Sequence, residues 1–424
     1  MDQQKKIIWQ TPWEYREGFS VALGIALTAL LLQLLLGNVD PSQFRFPVNV
    51  IFGAVFLAGV ALAFFIFRRK AFIRWLSSVY STVPAIAVLL GVIIVMGLTP
   101  QLPDGTMEVA FPENVFTKMG WYRMTTSWVF LFLCFYLLML IEFALLKRIT
   151  TKQSWRNIGF YLNHTGLLLA LLGGILGSAD IQRLTMTVKE GNVEWRALDR
   201  TGGLRELPVA IELDTFTIEE YPPKLVVIDT HSGKMLPEKQ PENYVYGGVG
   251  EKTALNGNHI EILEYLPQAG MVQDSNFVNF VPYFTEGATT ALKIRVTNPN
   301  LKAPVEGWVS NGSFIFPYQV LYVDSVSGIA MPVNEVKKYT SKVTVFTEDG
   351  RAEKADIEVN KPLSIENWVI YQLSYDETKG KYSDISVFEL VRDPWLKIVY
   401  AGIILLMAGA LFLFIAGPKK RVYV

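Results

Sequence analysis

The sequence contains very little cysteine and histidine. Its 424 residues include one cysteine, Cys134, and three histidines. A single cysteine cannot form an internal disulfide or supply the cysteine cluster of a structural zinc site. It also leaves no Cys-His nucleophile pair, and the histidines form no Ser-His-Asp pattern. The sequence therefore predicts no catalytic residue.

An excess of charge is also absent. Lys and Arg together number 39, and so do Asp and Glu. A nucleic-acid-binding protein normally has a basic excess that contacts phosphates, so we expect no nucleic-acid partner. A nucleotide-binding glycine loop is missing as well, because the glycines of LLGGILG at 171–177 lie inside an apolar run and not after a strand.

Long apolar runs are abundant. Hydrophobic residues make up 51% of the chain. A helix needs about 20 residues to cross the roughly 30 Å hydrocarbon core of a bilayer. The runs of this length are Phe19–Leu36, Pro47–Phe67, Val79–Leu98, Trp128–Leu146, Ile158–Gly177 and Ile398–Ala416. The first run has no evident cleavage site, so we interpret it as a retained helix and not as a signal peptide. The lipid bilayer is thus an expected partner.

A polar stretch, residues 179–392, separates the fifth and sixth runs. Segments such as PVAIELDTFTIEEY and SKVTVFTEDG alternate apolar and polar residues between Asn, Asp and Gly turns, a pattern that predicts antiparallel β-structure. The predicted fold is an α-helical membrane protein with six transmembrane helices and an inserted external all-β domain. Its divisions are 1–78 (N-terminal segment and a helical hairpin), 79–178 (helices three to five), 179–392 (β-domain) and 393–424 (last helix and basic tail).

Basic residues in the short loops predict the orientation. One side of the membrane has four groups of them: Lys5, Lys6 and Arg16; Arg68, Arg69, Lys70 and Arg74; Lys147, Arg148, Lys152 and Arg156; and Lys419, Lys420 and Arg421. The other side has only Arg45, Lys118 and Arg123. Because cytoplasmic loops carry the excess of Lys and Arg, we expect cytoplasmic termini and an external β-domain.

The fifth run includes FYLNHTGLLLALLGGILG at 160–177 and carries His164. Counted from the basic loop that ends at Arg156, His164 lies about 8 residues, or roughly 12 Å, into the membrane from its cytoplasmic side. A helical wheel places an aliphatic set on its face: Phe160, Leu167, Leu168, Leu171 and Ile175. A second stripe has small residues at a spacing of four, reinforced by Gly173 and Gly177: Gly166, Ala170, Gly174 and Ser178. Small residues allow close helix packing, so we expect another helix on that stripe.

His164 allows more than one interpretation. A structural imidazole would hydrogen-bond a neighbouring helix, together with Asn163. A functional imidazole would bind a haem iron, which accepts a neutral nitrogen while the haem ring contacts apolar side chains. A proton relay is a weaker alternative, because the other clear carboxylate in a helix is Glu142, near the inner boundary and within reach of headgroups or Arg148. The residue spacing alone does not separate these readings.

The remaining histidines and the aromatics belong to the β-domain. His231 and His259 lie near Gly and Asn turns, and we interpret both as surface residues without a site role. Five aromatic residues could line a groove, but β-structure also buries such residues, so we expect most in the core. They are Tyr244, Trp308, Trp368, Tyr371 and Tyr375.

The segment from Val359 to Phe412 has the most specific pattern in the chain. Its first part predicts two strands joined by a turn at Lys379–Gly380. Asp393 and Pro394 then form an N-cap and first-turn pair that begins the last membrane helix. Trp395 and Tyr400 suit the aromatic belt at a membrane interface.

These segments resemble the ResB/CcsB family of cytochrome c maturation proteins, known as system II. The resemblance rests on NKPLSIENWVIYQLSYD, on SVFELVRDPWLKIVYAG and on ELPVAIELDTFTIEEYPP at 206–223. The helix pair WYRMTTSWVFLFLCFYLLMLIEF and FYLNHTGLLLALLGGILG adds weaker support. The resemblance extends from about Val79 to the C-terminus.

The resemblance implies a function. Proteins of this family pair with a CcsA-like haem-handling membrane subunit, and the two move haem outward and attach it to Cys-x-x-Cys-His apocytochromes. The resemblance also implies that His164 is the axial ligand of the haem iron and that haem b is handled transiently, as a substrate. The chain is then expected to be a non-autonomous subunit of a holocytochrome c synthase in the bacterial inner membrane, with apocytochrome c as a partner.

Two features depart from the family. The first two helices are additional to its usual four, and they could form a hairpin that docks a partner. The chain also has no Trp-rich haem-binding motif, so it cannot be a fused, self-sufficient synthase. The alternative function is a non-catalytic membrane scaffold whose β-domain binds an external partner. A transporter is disfavoured, because no inverted repeat and no pair of broken helices is evident.

Overall fold

A computed structural model describes residues 9–102, 114–151, 153–274 and 277–416. Six of the basic residues that predict the orientation lie outside these ranges: Lys5, Lys6, Lys152, Lys419, Lys420 and Arg421. The chain divides into two compact units. The first contains the long helices, and the second consists of Leu184–Leu198 and Leu204–Leu390.

The first unit is helical. Its α-helices within the described ranges are α1 (Tyr15–Leu36), α2 (Val48–Phe67), α3 (Ala71–Leu76), α4 (Val79–Leu98), α5 (Val115–Lys118), α6 (Trp128–Ile149), α7 (Ile158–Gly177) and α8 (Leu396–Ala416). Six of these, namely α1, α2, α4, α6, α7 and α8, are long and apolar enough to cross a membrane. The predicted multi-pass membrane protein is thereby confirmed.

Some helices extend past the ends of the apolar runs that predicted them. Helix α1 begins at Tyr15 because Glu14 and Glu17 form a capping box around its first turn. Helix α8 begins at Leu396, where Asp393 accepts hydrogen bonds from the backbone N–H groups of Trp395 and Leu396 at 3.1 Å each. This is the predicted N-cap. The apolar runs in the sequence did not include these first turns, because the residues that cap a helix are polar.

Helix α6 is the centre of the helical unit. It is 56% buried over its apolar span, against 22% or less for each of the other five. Helices α1, α2, α4 and α7 pack around it, and α8 packs against α7. Helices α1 and α2 are thus part of the bundle, because α1 contacts α4 and α6 while α2 contacts α6 and α7.

One carboxylate joins three helices at the end of the bundle where α7 ends. Asp180 Oδ1 accepts the Phe46 backbone N–H at 2.8 Å, just before α2. Its Oδ2 accepts the Asn49 side-chain amide and the Trp395 indole N–H, both at 2.7 Å. Asn49 is fully buried and also donates to the Leu176 carbonyl at 3.1 Å. Trp395, predicted for the interface belt, therefore also links α8 to Asp180 through its indole N–H. Tyr400, the other residue predicted for the belt, is 55% exposed.

The second unit is built from β-strands. Within the described ranges, the chain forms β1 (Gln182–Lys189), β2 (Val193–Asp199), β3 (Leu204–Glu220), β4 (Lys224–Asp229), β5 (Met235–Leu236), β6 (Asn243–Val245), β7 (Lys252–Leu255), β8 (Asn258–Asp274), β9 (Phe277–Pro282), β10 (Thr289–Thr297), β11 (Val305–Ser310), β12 (Leu321–Tyr322), β13 (Ser327–Ala330), β14 (Val336–Thr347), β15 (Ala352–Glu358), β16 (Leu363–Ile365), β17 (Trp368–Tyr375) and β18 (Ile385–Arg392). The predicted turn at Lys379–Gly380 falls in a 3-10 helix, Glu377–Tyr382, between β17 and β18.

The strands form three sheets. The largest has the order β15-β14-β3-β2-β1-β18-β17-β16, so that the first and last strands are neighbours. Alternate residues of β3, including Val209, Ile211 and Leu213, are buried in its core. Two five-stranded sheets, β11-β10-β8-β7 with β9 and β12-β13-β4-β5 with β6, share a second core. The alternation seen in the sequence thus produces the predicted β-structure, and the predicted fold class of six membrane-capable helices with an inserted all-β domain is confirmed.

Candidate functional site

The candidate site is centred on His164, the seventh residue of α7. A short 3-10 helix, Trp155–Asn157, precedes α7. Arg148, near the end of α6, donates from Nε and Nη2 to the Asn157 side-chain oxygen at 3.2 and 2.8 Å. These bonds fix the connection between α6 and α7, and therefore the position at which His164 enters the bundle.

The imidazole of His164 is oriented by its own helix. Its Nδ1 lies 3.0 Å from the Phe160 carbonyl oxygen. A carbonyl oxygen can only accept a hydrogen bond, so Nδ1 is the protonated nitrogen and Nε2 has a free lone pair. The ring also stacks on Phe160, with centroids 3.8 Å apart and planes 25° apart. Among the described residues, Nε2 has no hydrogen-bond partner.

This geometry bears on the structural interpretation of His164. A histidine that joins two helices would hydrogen-bond across the bundle, but the ring's hydrogen bond lies within α7. A neutral imidazole with one nitrogen held by a carbonyl and the other free is the arrangement of a metal-binding histidine. The free Nε2 atom can bind a haem iron, or equally another group that accepts a nitrogen lone pair.

The aliphatic face around His164 is already partly covered. Phe160, Leu167 and Leu171 pack against a cluster that includes Leu137, Ile141 and Leu145 of α6 and Leu89 of α4. His164 itself is only half-buried. A flat apolar ligand at Nε2 would therefore contact side chains of α7 and of the neighbouring helices together.

The small-residue face of α7 packs closely against α8. A Cβ atom at Gly166 would lie 2.6 Å from the Gly402 carbonyl oxygen, and one at Gly402 would lie 2.7 Å from the Ala170 nitrogen. Asn163 belongs to the same contact, because a Cβ at Gly409 would lie 2.5 Å from its Oδ1. The side chain of Asn163 is thus packed on the α8 backbone.

The predicted stripe is correct only in part. Gly173 and Gly177 face α8, but Gly174 has no atom within 4 Å of its Cβ position, and Ser178 is exposed. Residues at a spacing of four rotate by about 40° per step around a helix with 3.6 residues per turn. The stripe therefore turns away from α8, and the contact follows Gly159, Gly166 and Gly173 at a spacing of seven.

Glu142 does not pair with Arg148, one of the two alternatives considered for it. Arg148 is bound to Asn157 and lies over the Phe160 ring, 5.3 Å from its centroid. Glu142 is 7% exposed, and its Oε2 has no hydrogen-bond partner among the described residues. It lines a cavity between α6 and α7 together with Leu145, Leu146, Ile149, Gln153, Tyr161 and Thr165. The composition of the run gave no sign of this cavity.

The other histidines are surface residues. His231 is exposed in the turn after β4, and His259 is exposed at the start of β8. Of the five aromatics, Trp308 and Trp368 are buried, Tyr244 and Tyr375 are half-buried against the cores, and Tyr371 is 39% exposed. Core packing is therefore confirmed for most of them. Within the described ranges, no group of three or more His, Cys, Asp or Glu side chains could hold a metal ion.

A family profile matches two parts of this chain. The ResB-like family matches residues 146–245 and 318–385. The predicted resemblance to the ResB/CcsB family is confirmed over these two segments. The first matched segment contains all of α7, with His164, and continues into β6. The ResB-like family supports a role in cytochrome c biogenesis. No curated protein matches the chain.

The matched segments are shorter than the resemblance in the sequence. The second segment ends at residue 385, before RDPWLKIVYAG at 392–402. Helices α1 to α5 and most of α6 lie before the first segment, so the match does not separate α1 and α2 from the later helices. Residues 246–317, which include β7 to β11, lie between the two segments. Strands β7, β8, β10 and β11 nevertheless share a core with the matched strand β4.

Proposed function

We propose that the chain is the ResB-like subunit of a cytochrome c synthase in the bacterial inner membrane. It helps to carry haem outward and presents it for covalent attachment to Cys-x-x-Cys-His apocytochromes. Haem b is a substrate that passes through the complex. A CcsA-like membrane subunit and apocytochrome c are the partners, both termini are cytoplasmic, and the β-domain is external.

The free Nε2 atom of His164 carries this proposal. The Phe160 carbonyl occupies Nδ1, so that Nε2 is available as an axial ligand of the iron. The aliphatic side chains around it suit the apolar haem ring. His231 and His259 belong to the β-strand unit, so a second imidazole ligand from a membrane helix would come from the partner subunit.

The chain's own contribution is positioning. It holds haem, and the cysteine thiols that form the thioether bonds belong to the apocytochrome. Bringing two reactants together in a fixed geometry converts a bimolecular step into one within a complex, which alone accelerates a reaction greatly. No side chain of this protein takes a covalent role in the proposal.

Haem content after a substitution at His164 tests the proposal. We expect the full chain, purified with its CcsA-like partner, to carry haem that is visible in its absorption spectrum. His164→Ala should lose most of that haem, because His164 is the only histidine of the helical unit. Added imidazole should restore the spectrum, since it fills the space of the missing ring with the same ligand.

The matched control is His259→Ala, which removes an exposed histidine of the β-strand unit. It should leave haem content unchanged. Haem content in His164→Ala equal to that of the unsubstituted protein would contradict the ligand role. Haem loss that imidazole does not reverse, together with a lower melting temperature, would favour a purely structural role.

A further inference from the structure

The cavity between α6 and α7 is large enough for a small molecule. Its volume is about 550 Å³, and it is lined by Glu142, Leu145, Leu146, Ile149, Gln153, Tyr161 and Thr165. Small-molecule sites commonly range from about 300 to 1,000 Å³. The lining residues come from the last two turns of α6, the following loop and the first two turns of α7.

A carboxylate without a partner lies in this cavity. Glu142 is 7% exposed, and its Oε2 accepts no hydrogen bond from the described residues. The two nearest cations in sequence are engaged elsewhere: Arg148 with Asn157, and Lys147 with the Ser77 carbonyl at 3.0 Å. An ionised carboxylate in apolar surroundings is costly unless a cation or hydrogen-bond donors compensate it.

The amide and phenol donors of the cavity wall are already used. The side-chain amide nitrogen of Gln153 donates to the backbone carbonyls of Arg148, Ile149 and Thr151, at 3.3, 2.6 and 3.1 Å. The single hydroxyl proton of Tyr161 is shared between the Arg148 carbonyl at 3.1 Å and the Gln153 oxygen at 2.6 Å. The wall therefore offers a ligand the lone pairs of Glu142 and Tyr161, together with the Thr165 hydroxyl, which can accept as well as donate.

The rest of the wall is aliphatic. Leu145, Leu146 and Ile149 provide apolar surface beside the carboxylate. A ligand that matches both parts has N–H donors with a positive charge at one end and an alkyl body at the other. A primary ammonium has three donors and one charge, which suits a carboxylate and two hydroxyl oxygens.

We propose that this cavity binds a primary alkylammonium group, with Glu142 as its counter-ion. Two sources have this chemistry: the headgroup of an aminophospholipid and a free long-chain amine. The site includes Tyr161 and Thr165 of α7, the helix that carries His164. It involves no haem, so its test is separate from that of the proposed function.

Native mass spectrometry of the full chain in detergent tests this site. We expect phosphatidylethanolamine to bind the delipidated protein at least tenfold more tightly than phosphatidylcholine, whose quaternary ammonium has no N–H donor. Glu142→Gln should weaken phosphatidylethanolamine binding by about tenfold, since a charged hydrogen bond contributes about 1.4 kcal/mol or more. Thr165→Val keeps the side-chain shape and should weaken binding by a few fold.

Dodecylammonium separates the two sources. Competition between dodecylammonium and phosphatidylethanolamine for one site would support a lipid headgroup. Binding of dodecylammonium alone, weakened by Glu142→Gln, would support the free amine. The matched control Asp40→Asn changes an exposed carboxyl outside the cavity and should have no effect. The proposal would be overturned if each ligand bound equally well to the unsubstituted protein, to Glu142→Gln and to Thr165→Val. Should Glu142→Gln fail to fold, the comparison with Thr165→Val decides.

Discussion

At the scale of the residue, two side chains show how position in the fold sets chemical behaviour. His164 bonds to its own helix through Nδ1 and keeps Nε2 free. Asp180 does the opposite: both of its oxygens are engaged, by Phe46, Asn49 and Trp395. The first arrangement suits binding of an external group, and the second suits cohesion among helices.

Asp180→Ala should destabilise the helical unit. The substitution leaves the Phe46 N–H, the Asn49 amide and the Trp395 indole N–H without their acceptor. A hydrogen bond to a charged group contributes about 1.5–3 kcal/mol, so we expect the melting temperature in detergent to fall by roughly 5 °C or more. Asp40→Ala, which removes an acceptor used only by the exposed Ser42, should lower it less. Equal shifts for the two variants would contradict the bridging role of Asp180.

The sequence predicted individual residues unevenly. His164 could be singled out because a histidine is rare in an apolar run, and Asp393 because an Asp-Pro pair before such a run is a helix cap. Glu142 was singled out, but Arg148, one of the two partners considered for it, bonds to Asn157 across the α6–α7 turn. The bridge from Asp180 to Asn49 and Trp395 joins parts of the chain that are far apart in sequence, and no local pattern indicates it.

At the scale of the element, α7 has two packed faces. One carries glycines and Asn163 against α8, and the other carries aliphatic residues around His164 against α6 and α4. The sequence separated the two faces correctly, since helical periodicity fixes which residues share a face. It placed Gly174 and Ser178 on the wrong one, because the angle at which α8 approaches depends on both helices.

Adding a methyl group at the α7–α8 contact should disrupt it. In Gly166→Ala or Gly402→Ala the new Cβ would lie 2.6 or 2.7 Å from backbone atoms of the other helix, so the helices must separate. Overpacking of this kind costs about 1–3 kcal/mol, and we expect a lower melting temperature. The matched control is Gly174→Ala on the same helix, which has open space and should be neutral or slightly stabilising. Similar destabilisation by all three variants would refute the close approach.

At the scale of the whole molecule, the chain combines a six-helix membrane unit with a β-sheet unit. The apolar runs and the alternating segments predicted both, because each follows from a short-range period in the sequence. The order of strands could not be predicted in the same way. The pairing of β1 with β18, and of β3 with β14, depends on contacts between distant segments.

Cysteine labelling tests the proposed orientation. The single native cysteine, Cys134, is buried, so the unsubstituted protein should not react with a membrane-impermeant maleimide. Lys239→Cys in the β-strand unit should be labelled in intact spheroplasts, and Arg69→Cys in the loop after α2 should be labelled only after permeabilisation. Both positions are exposed in the fold. The reverse pattern would place the β-strand unit in the cytoplasm.

The pairing of α7 with α8 has a consequence for how the protein is made. All of β1 to β18 lies between these helices in the chain, and at about 5–20 residues per second a ribosome needs on the order of ten seconds or more to synthesise such a stretch. During that time the glycine-lined face of α7 is in the bilayer without α8. A newly made chain thus spends this interval with the closely packing face of α7 unoccupied, until α8 is synthesised and covers it.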